Sequence, residues 1–421
     1  MQSSIKLRLT VMNFLQFAVW GAYLTSMGRY LGTAGFGSEI GNFYAMQGLV
    51  SLFMPALMGI VADRWIPAQR LLGGCHMLAG MLMLGVFLYT QTDAPSYPSL
   101  FALYSLSVAF YMPTLALSNS VAYTSLDQAG LDLVKSFPPI RVFGTVGFIC
   151  TMIAVSLLGL EATSGQFAVS AIISLVLAVY AQTLPNCPTA PKGQSKSLVE
   201  ALGLRAFVLF KQRKMALFFI FSMLLGVSLQ ITNGFANPFI STFGEIPAYA
   251  DTFGVKYANI LISLSQLSET LCILLIPFAL RRFGIRRVML IAMVAWVLRF
   301  ALLGLGNPGS GVWLFLLSMI VYGVAFDFFN VSGSLFVDKE TDPSIRSSAQ
   351  GLFMIMTNGI GATLGSLGAQ AVINHFVYSE HDTTAILAGW SMSWYIFAAY
   401  AAVVAVLFAV LFRYNTATEA K

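Results

Sequence analysis

Long apolar runs dominate this chain, and short polar turns separate them. No charged residue occurs in residues 10–28, 41–62 or 71–91, and similar runs continue along the rest of the sequence. The full set of runs is 10–28, 41–62, 71–91, 94–126, 142–160, 162–191, 215–244, 257–280, 288–306, 312–337, 347–379 and 383–412. A helix needs about 20 mostly apolar residues to cross the hydrocarbon core of a bilayer. The pattern therefore predicts an all-α membrane protein with twelve transmembrane helices.

The overall composition agrees with a lipid environment. Hydrophobic residues make up 57% of the 421 residues and charged residues only 10%, whereas globular proteins carry roughly 25% charged residues. A chain with so little charge cannot cover a water-facing surface of ordinary size. We therefore expect most of its surface to contact the lipid bilayer.

Positive charge is distributed unevenly over the predicted connections. With the N-terminus inside, only Arg29 and Lys256 among the basic residues of the connections fall on the outer side. Cytoplasmic loops carry the excess of Lys and Arg in membrane proteins, so the net charge of +6 reflects topology and predicts no nucleic-acid partner. We expect both termini in the cytoplasm, and a first apolar run that is kept as a helix rather than cleaved as a signal peptide.

The longest connection divides the chain. It begins with the Pro-rich stretch LPNCPTAPKGQSKS and ends in the basic cluster at 211–214. This predicts a six-helix half at 1–184, a cytoplasmic central loop at 185–214 and a second six-helix half at 215–421. The four cysteines lack the spacing of a metal site, so we expect no disulfide, no metal and no cofactor. They are Cys75, Cys150, Cys187 and Cys272.

Two acidic residues interrupt apolar runs in the second half. Glu269 lies near the middle of the eighth predicted helix and Asp327 lies in the tenth. An acid at this depth is costly unless it faces a cavity or a partner, and such acids usually have a function. A carboxyl group that can be neutral or charged near pH 7 suits a proton-coupled carrier. The alternative is a structural acid that pairs with a neighbouring helix.

Carboxamide side chains lie close to these acids in the helical pattern. Gln266 precedes Glu269 by three residues, so both project from one helical face. On the seventh helix Gln230, Asn233 and Asn237 also share one face. Such a face either joins helices or lines a wet cavity. We favour the cavity for Gln230 and Asn233, whereas Asn237, which precedes Pro238, is expected to satisfy freed backbone groups.

Aromatic residues flank the acid of the tenth helix. Tyr322 and Phe326 are one turn apart with Asp327 beside them, so they are candidates to stack on a flat base, although aromatic residues at helical spacing are often core or lipid-facing.

A second candidate face lies on the fifth helix. Arg141, Thr145 and Phe148 share it, and Pro138 and Pro139 are expected to start that helix. Arg141 alone could equally be an ordinary cation at the cytoplasmic end.

Two polar residues elsewhere in apolar runs are predicted to be structural. His76 is a lone histidine without acidic neighbours in the sequence. Arg299 is expected to extend its charge outward or to pair between helices.

Several strings carry a resemblance to a known family. They are FPPIRVFGTVGF at 137–148, LQITN at 229–233, SQLSETL at 265–271, MIVYGVAFDFFNVSGS at 319–334 and SSAQGLFMIMTNG at 347–359. The turn Gly-x-x-x-Asp-Arg that ends at Arg64 is similar to the loop motif of the Major Facilitator Superfamily, and the strings resemble its nucleoside:proton symporter family. This implies that a central site holds a nucleoside and that the matching residues line it. These residues are Arg141, Thr145, Phe148, Gln230, Asn233, Gln266, Glu269, Tyr322, Phe326 and Asp327.

Two functions within one superfamily fit these observations. The first is a proton-coupled nucleoside importer of the bacterial inner membrane, a monomer that works by alternating access around a site between the two halves. Asp327 and Glu269 would couple transport to protons, and the other matching residues, with Glu269, would bind substrate. The alternative is a proton-coupled sugar or oligosaccharide permease. A membrane enzyme is disfavoured, because the sequence shows neither metal-ligand spacing nor a nucleophile–base pair at depth.

Overall fold

Helices account for almost all of the described chain. The computed structural model describes residues 2–189, 204–342 and 345–414, so part of the predicted central loop 185–214 lies outside the described residues. The described residues fall into two compact units. Unit 1 comprises those within Met1–Tyr30 and Leu49–Leu202, and unit 2 comprises those within Leu31–Gly48 and Gly203–Lys421.

The helices follow the apolar runs. The first eight are α1 Gln2–Gly21, α2 Met27–Thr33, α3 Ile40–Ser51, α4 Met54–Arg64, α5 Ala68–Tyr89, α6 Tyr97–Gln128, α7 Leu133–Leu157 and α8 Gly165–Ala181. The others are α9 Arg213–Thr242, α10 Pro247–Ala250, α11 Phe253–Lys256, α12 Ala258–Leu305, α13 Val312–Glu340, α14 Arg346–Met354, α15 Ala362–Phe376 and α16 Thr383–Leu411. A π-helical turn, Ile355–Gly361, joins α14 to α15. Within the described ranges, nine helices are long and apolar enough to cross a membrane.

The longest helix, α12, is two antiparallel arms rather than one rod. Its 48 residues would extend about 72 Å, more than twice the roughly 30 Å hydrocarbon core. Gly284 breaks the helix with a φ of 74°, a left-handed conformation that glycine adopts without steric cost. Ser265 and Arg299 would be about 51 Å apart in a straight helix, yet Arg299 Nη1 lies 3.3 Å from Ser265 Oγ. The chain therefore reverses at Gly284, between the apolar runs 257–280 and 288–306.

Unit 1 places α1 directly against α7. Gly147 packs against the backbone of Phe14, and Gly21 packs against the backbone of Phe148. The Thr151 hydroxyl donates to the carbonyl oxygen of Ala18 at 3.0 Å. Residues without a β-carbon let two helix backbones approach closely in a membrane, so this seam fixes the side chains of α7 relative to those of α1.

Unit 2 places α9 against the π-turn and α15. Gly226 contacts the backbone of Thr357, while Gly361 and Gly365 contact the backbones of Met223 and Val227. A single π-helical turn interrupts the regular hydrogen-bond ladder of an α-helix and often occurs at functional sites. The seam fixes α9, which carries Gln230 and Asn233, against the rest of unit 2.

The start of α7 differs from the sequence-based expectation. The helix begins at Leu133, so Pro138 and Pro139 lie inside it rather than at its first position. Each proline removes one backbone hydrogen bond. Because the first N–H groups of a helix have no partner within the helix anyway, the losses fall close to an end that is already incompletely bonded.

Candidate functional site

Unit 2 brings its two membrane-embedded acids together. Glu269 lies on the first arm of α12 and Asp327 on α13, and the two carboxyl groups are close enough to interact electrostatically. Asp327 is only 5% exposed, and its Oδ2 has no hydrogen-bond partner among the described residues. A buried carboxyl oxygen without a donor is costly, so this atom is available to a proton or a ligand.

A close contact between α12 and α13 explains why the two acids lie near each other. The Ser268 hydroxyl donates to the carbonyl oxygen of Ile320. A β-carbon at Gly323 would lie 2.5 Å from the carbonyl oxygen of Ser268, so only glycine fits there. The next residue along α12 after Ser268 is Glu269, and Asp327 lies one turn after Gly323. The contact therefore places both carboxyl groups in the same region.

A stacked aromatic pair adjoins the acids. The rings of Tyr322 and Phe326 are 5.5 Å apart between centroids, with an angle of 15° between their planes. The Tyr322 side chain also lies within electrostatic range of Glu269 and Asp327. Tyr322 is 6% exposed, whereas Phe326 is partly exposed. The partly exposed ring of Phe326 therefore lies against Tyr322, near the two acids.

The carboxamides of unit 2 fall into two groups. On α9, Asn233 Nδ2 donates to Gln230 Oε1 at 2.8 Å, and both residues are partly exposed, whereas the other residues of 228–240 are buried. On α12, Gln266 is 9% exposed, and its Oε1 has no hydrogen-bond partner among the described residues. Asn237 Nδ2 donates to Asn259 Oδ1 at 2.9 Å, and this bond joins α9 to the first arm of α12.

Unit 1 holds the three candidates of α7. The Arg141 guanidinium lies 4.0 Å from the centroid of the Phe17 ring, and Thr145 is partly exposed. Phe148 is buried and meets Trp20 edge to face, with centroids 6.3 Å apart. This cation–π contact fixes the Arg141 guanidinium against a ring of α1 within unit 1.

A buried hydrogen-bond chain lies next to these residues. His76 Nδ1 is 2.9 Å from Ser174 Oγ, and its Nε2 is 2.8 Å from Gln16 Oε1. Gln16 Nε2 donates in turn to Thr114 Oγ1 at 2.7 Å. The structural role expected for His76 fits these contacts. The sequence does not reveal its partners, because Gln16 and Ser174 are 60 and 98 residues away along the chain.

Arg299 in unit 2 has contacts that the sequence does not specify. Its guanidinium lies 4.5 Å from the centroid of the Tyr322 ring, and Nη1 donates to the carbonyl oxygen of Ser318 at 2.9 Å. Of the two expected roles, pairing between helices is the one the structure shows. A cation within an apolar run signals a buried partner, but not which one.

The cysteines form no disulfide in the part of the chain that the structure describes, which includes all four of them. All four are free, and three of them are buried. Within the described residues, no group of three or more His, Cys, Asp or Glu side chains is placed to hold a metal ion.

Comparison with known proteins identifies the family. The family model described as "Nucleoside H+ symporter" matches residues 3–417. The chain belongs to the nucleoside H+ symporter family. The resemblance carried by the sequence strings is therefore confirmed, and nucleoside–proton symport is the activity that this family supports.

Relatives of the nucleoside H+ symporter family match over nearly their whole length. The xanthosine permease of Escherichia coli K12 is 49% identical, with 98% of this chain and 97% of the relative covered. The nucleoside permease NupG of the same organism is 46% identical over the same shares. A crystal structure of the nucleoside transporter NupG superposes with a TM-score of 0.89 at 46% identity, covering 98% of this chain and 100% of that one.

Proposed function

We propose that this protein imports nucleosides together with protons across the bacterial inner membrane. The observation that carries the proposal is the pair of acids, Glu269 and Asp327, held beside the stacked rings of Tyr322 and Phe326 in a chain of the nucleoside H+ symporter family. A nucleoside is polar, flat and uncharged. Its ribose hydroxyls suit carboxylate and carboxamide acceptors, and its base suits an aromatic face.

The proposed topology is the Major Facilitator Superfamily arrangement of twelve membrane-spanning segments. The nine long helices of the described residues contain ten spans when α12 is read as two arms. The shorter α8 and the largely apolar α1 complete twelve. The distribution of Lys and Arg supports cytoplasmic termini. We propose the boundaries 1–184, 185–214 and 215–421 for the two halves and the central loop, and a monomer that binds no nucleic acid.

We propose separate roles for the polar and aromatic residues. Asp327 and Glu269 take part in proton coupling, because an acid held near a second acid changes its protonation when its surroundings change. Substrate binding is assigned to hydrogen-bonding side chains and to aromatic faces. The proposed substrate-binding residues are Arg141, Thr145, Phe148, Gln230, Asn233, Gln266, Glu269, Tyr322 and Phe326.

A sugar or oligosaccharide permease is the alternative within the same superfamily. It would also use acids and carboxamides. The relatives that cover the chain are permeases for xanthosine and other nucleosides, and a stacked aromatic pair suits a planar base, so the nucleoside is the substrate we propose.

Uptake into proteoliposomes tests the function directly. An inward proton gradient is expected to drive accumulation of labelled uridine or adenosine unchanged, without sodium or ATP. Adding a protonophore should collapse the accumulation to the equilibrium level. Protein-free liposomes and a sodium gradient at equal pH are the controls. Accumulation that survives the protonophore, or that follows sodium, contradicts proton symport.

Two substitutions should separate stacking from hydrogen bonding. Phe326→Ala is expected to weaken binding of all nucleosides by a similar factor, about tenfold, because stacking contributes roughly 1–3 kcal/mol with little dependence on the base. Asn233→Ala is expected to change the ranking among nucleosides and sugar analogues, since a lost hydrogen bond affects only the ligands that used it. Competition binding with nucleosides, deoxynucleosides and free bases measures both effects.

Free bases provide the internal control for this pair. A site that binds the ribose hydroxyls should reject a base without the sugar, because its polar groups would stay buried and unpaired at roughly 1–3 kcal/mol each. Free bases that compete as well as nucleosides would contradict the assignment of Asn233 and its neighbours to the sugar.

A further inference from the structure

Arg299 is a buried cation to which the proposed transport mechanism assigns no role. It lies on the second arm of α12 and is 2% exposed. Burying a guanidinium is costly unless other interactions compensate. Such a group in an apolar helix therefore indicates a specific function for the charge or for its planar shape.

Hydrogen bonds hold one end of the guanidinium on α13. Arg299 Nη1 donates to the carbonyl oxygen of Ser318, and the Ser318 hydroxyl donates back to the carbonyl oxygen of Arg299, both at 2.9 Å. Ser265 Oγ on the first arm of α12 lies 3.3 Å from the same Nη1. Three helical segments thus meet at this side chain, which limits the positions that the guanidinium can take.

The guanidinium covers Tyr322. Tyr322 lies one turn after Ser318 on α13, so the bond to Ser318 carries the guanidinium over the next turn, 4.5 Å from the ring centroid. Trp296, one turn before Arg299, meets the same ring edge to face at 5.9 Å. Phe326 stacks on Tyr322 at 5.5 Å. The ring of Tyr322 is therefore held by a cation, an indole and a phenyl ring.

We infer that Arg299 is a positioning residue, which fixes the Tyr322 ring against Phe326 and thereby sets the affinity for the nucleoside base. The inference rests on the proposed function, because it takes Tyr322 and Phe326 as the stacking surface. A tyrosine has two side-chain torsions that are free to change unless its neighbours prevent it. Arg299 and Trp296 prevent this from the side of α12, so the stacking surface exists before the ligand arrives.

A double-mutant cycle tests the inference. Equilibrium binding of uridine and adenosine is measured for wild type, Arg299→Met, Tyr322→Leu and the double variant in detergent. Arg299→Met should raise the dissociation constant about thirtyfold, the size of a desolvated cation–π contact. The same substitution should have almost no further effect in the Tyr322→Leu background, because interacting residues give non-additive effects.

Arg286→Met is the matched control. Arg286 lies on the same arm of α12 and also donates to backbone carbonyl oxygens, those of Phe412 and Ala409, without an aromatic partner in the proposed site. It should leave the dissociation constant unchanged. If Arg299→Met does not fold, Arg299→Lys replaces it in the cycle. Lysine keeps the charge but cannot lie flat on the ring, and it should weaken binding at least about threefold.

Each outcome has one meaning. Factors that multiply in the double variant, an unchanged dissociation constant in the folded Arg299 variant, or wild-type affinity in Tyr322→Leu would overturn the positioning role while leaving nucleoside binding intact. Absence of nucleoside binding by the wild-type protein would overturn the proposed function itself, and the positioning role with it. Loss of affinity that disappears with Tyr322 supports the inference.

Discussion

Asp327→Asn is expected to abolish proton-driven accumulation of nucleosides, with a loss of at least about a hundredfold, while the protein still folds. Asparagine keeps the shape of the side chain but cannot bind and release a proton near neutral pH. Asp327 is 5% exposed and lies within electrostatic range of Glu269. Its charge is costly at this depth, so its protonation should be tied to the conformational cycle. Uptake under an imposed proton gradient measures the loss.

Equilibrium exchange separates coupling from binding. A variant that has lost only the coupling group should still exchange labelled for unlabelled nucleoside, because exchange needs no net proton movement. Glu269→Gln is expected to abolish accumulation as well. If Glu269 also binds the substrate, this variant should lose exchange, which distinguishes the roles of the two acids.

Asp338→Asn is the matched control for these variants. Asp338 lies on α13, eleven residues after Asp327, and forms a partly exposed ion pair with Arg346 at 3.1 Å. Exposed pairs contribute little, about 0–1 kcal/mol, so accumulation should stay at the wild-type level. Wild-type accumulation by both Asp327→Asn and Glu269→Gln would show that these acids are structural.

The sequence predicts the helices well because a bilayer imposes a simple rule. Inside a bilayer, the backbone groups of an apolar run of about 20 residues can form hydrogen bonds only within a helix. The sequence predicts the interruptions of the helices less well. Residues 41–62 form a single apolar run, yet α3 ends at Ser51 and α4 begins at Met54 with Pro55 in its first turn. Proline ends the preceding hydrogen-bond ladder, and whether the chain bends or stops there depends on tertiary packing.

The residues of the candidate site can be predicted from the sequence, but their contacts cannot. Glu269 and Asp327 can be found from sequence, because an acid in an apolar run stands out whatever surrounds it. Their proximity cannot be found, since the two acids are 58 residues apart in the sequence and meet only through the packing of α13 on the first arm of α12. Arg299 illustrates the same limit: its cost of burial is visible in the sequence, but the ring that it covers is not. Spacing along one helix predicts a shared face, and only packing shows what that face meets.

Gly323→Leu is expected to weaken nucleoside binding strongly, because the contact that places the acids depends on the absence of a side chain at Gly323. A β-carbon at residue 323 would lie 2.5 Å from the carbonyl oxygen of Ser268 and 2.6 Å from its carbonyl carbon. Backbone atoms cannot rotate away as a flexible side chain can, so α13 must move from the first arm of α12. Overpacking of this kind costs roughly 1–3 kcal/mol, which corresponds to a loss of affinity of about 5–150-fold if it falls on the bound state.

Helix propensity and the backbone contact predict opposite effects on stability when Gly323 is replaced. Replacing a glycine inside a helix with alanine favours the helix by roughly 1 kcal/mol, so Gly323→Ala should be stabilising if no contact opposed it. We expect instead a lower melting temperature and weaker nucleoside binding for Gly323→Ala, and larger losses for Gly323→Leu. Gly368 on α15 is exposed, with no atom within 4 Å of an added β-carbon, so Gly368→Ala and Gly368→Leu should leave binding unchanged. Thermal unfolding and equilibrium binding measure the four variants together. Wild-type affinity in Gly323→Leu would mean that the acids keep their places without this contact, and the argument that helix packing at Gly323 builds the site would be wrong.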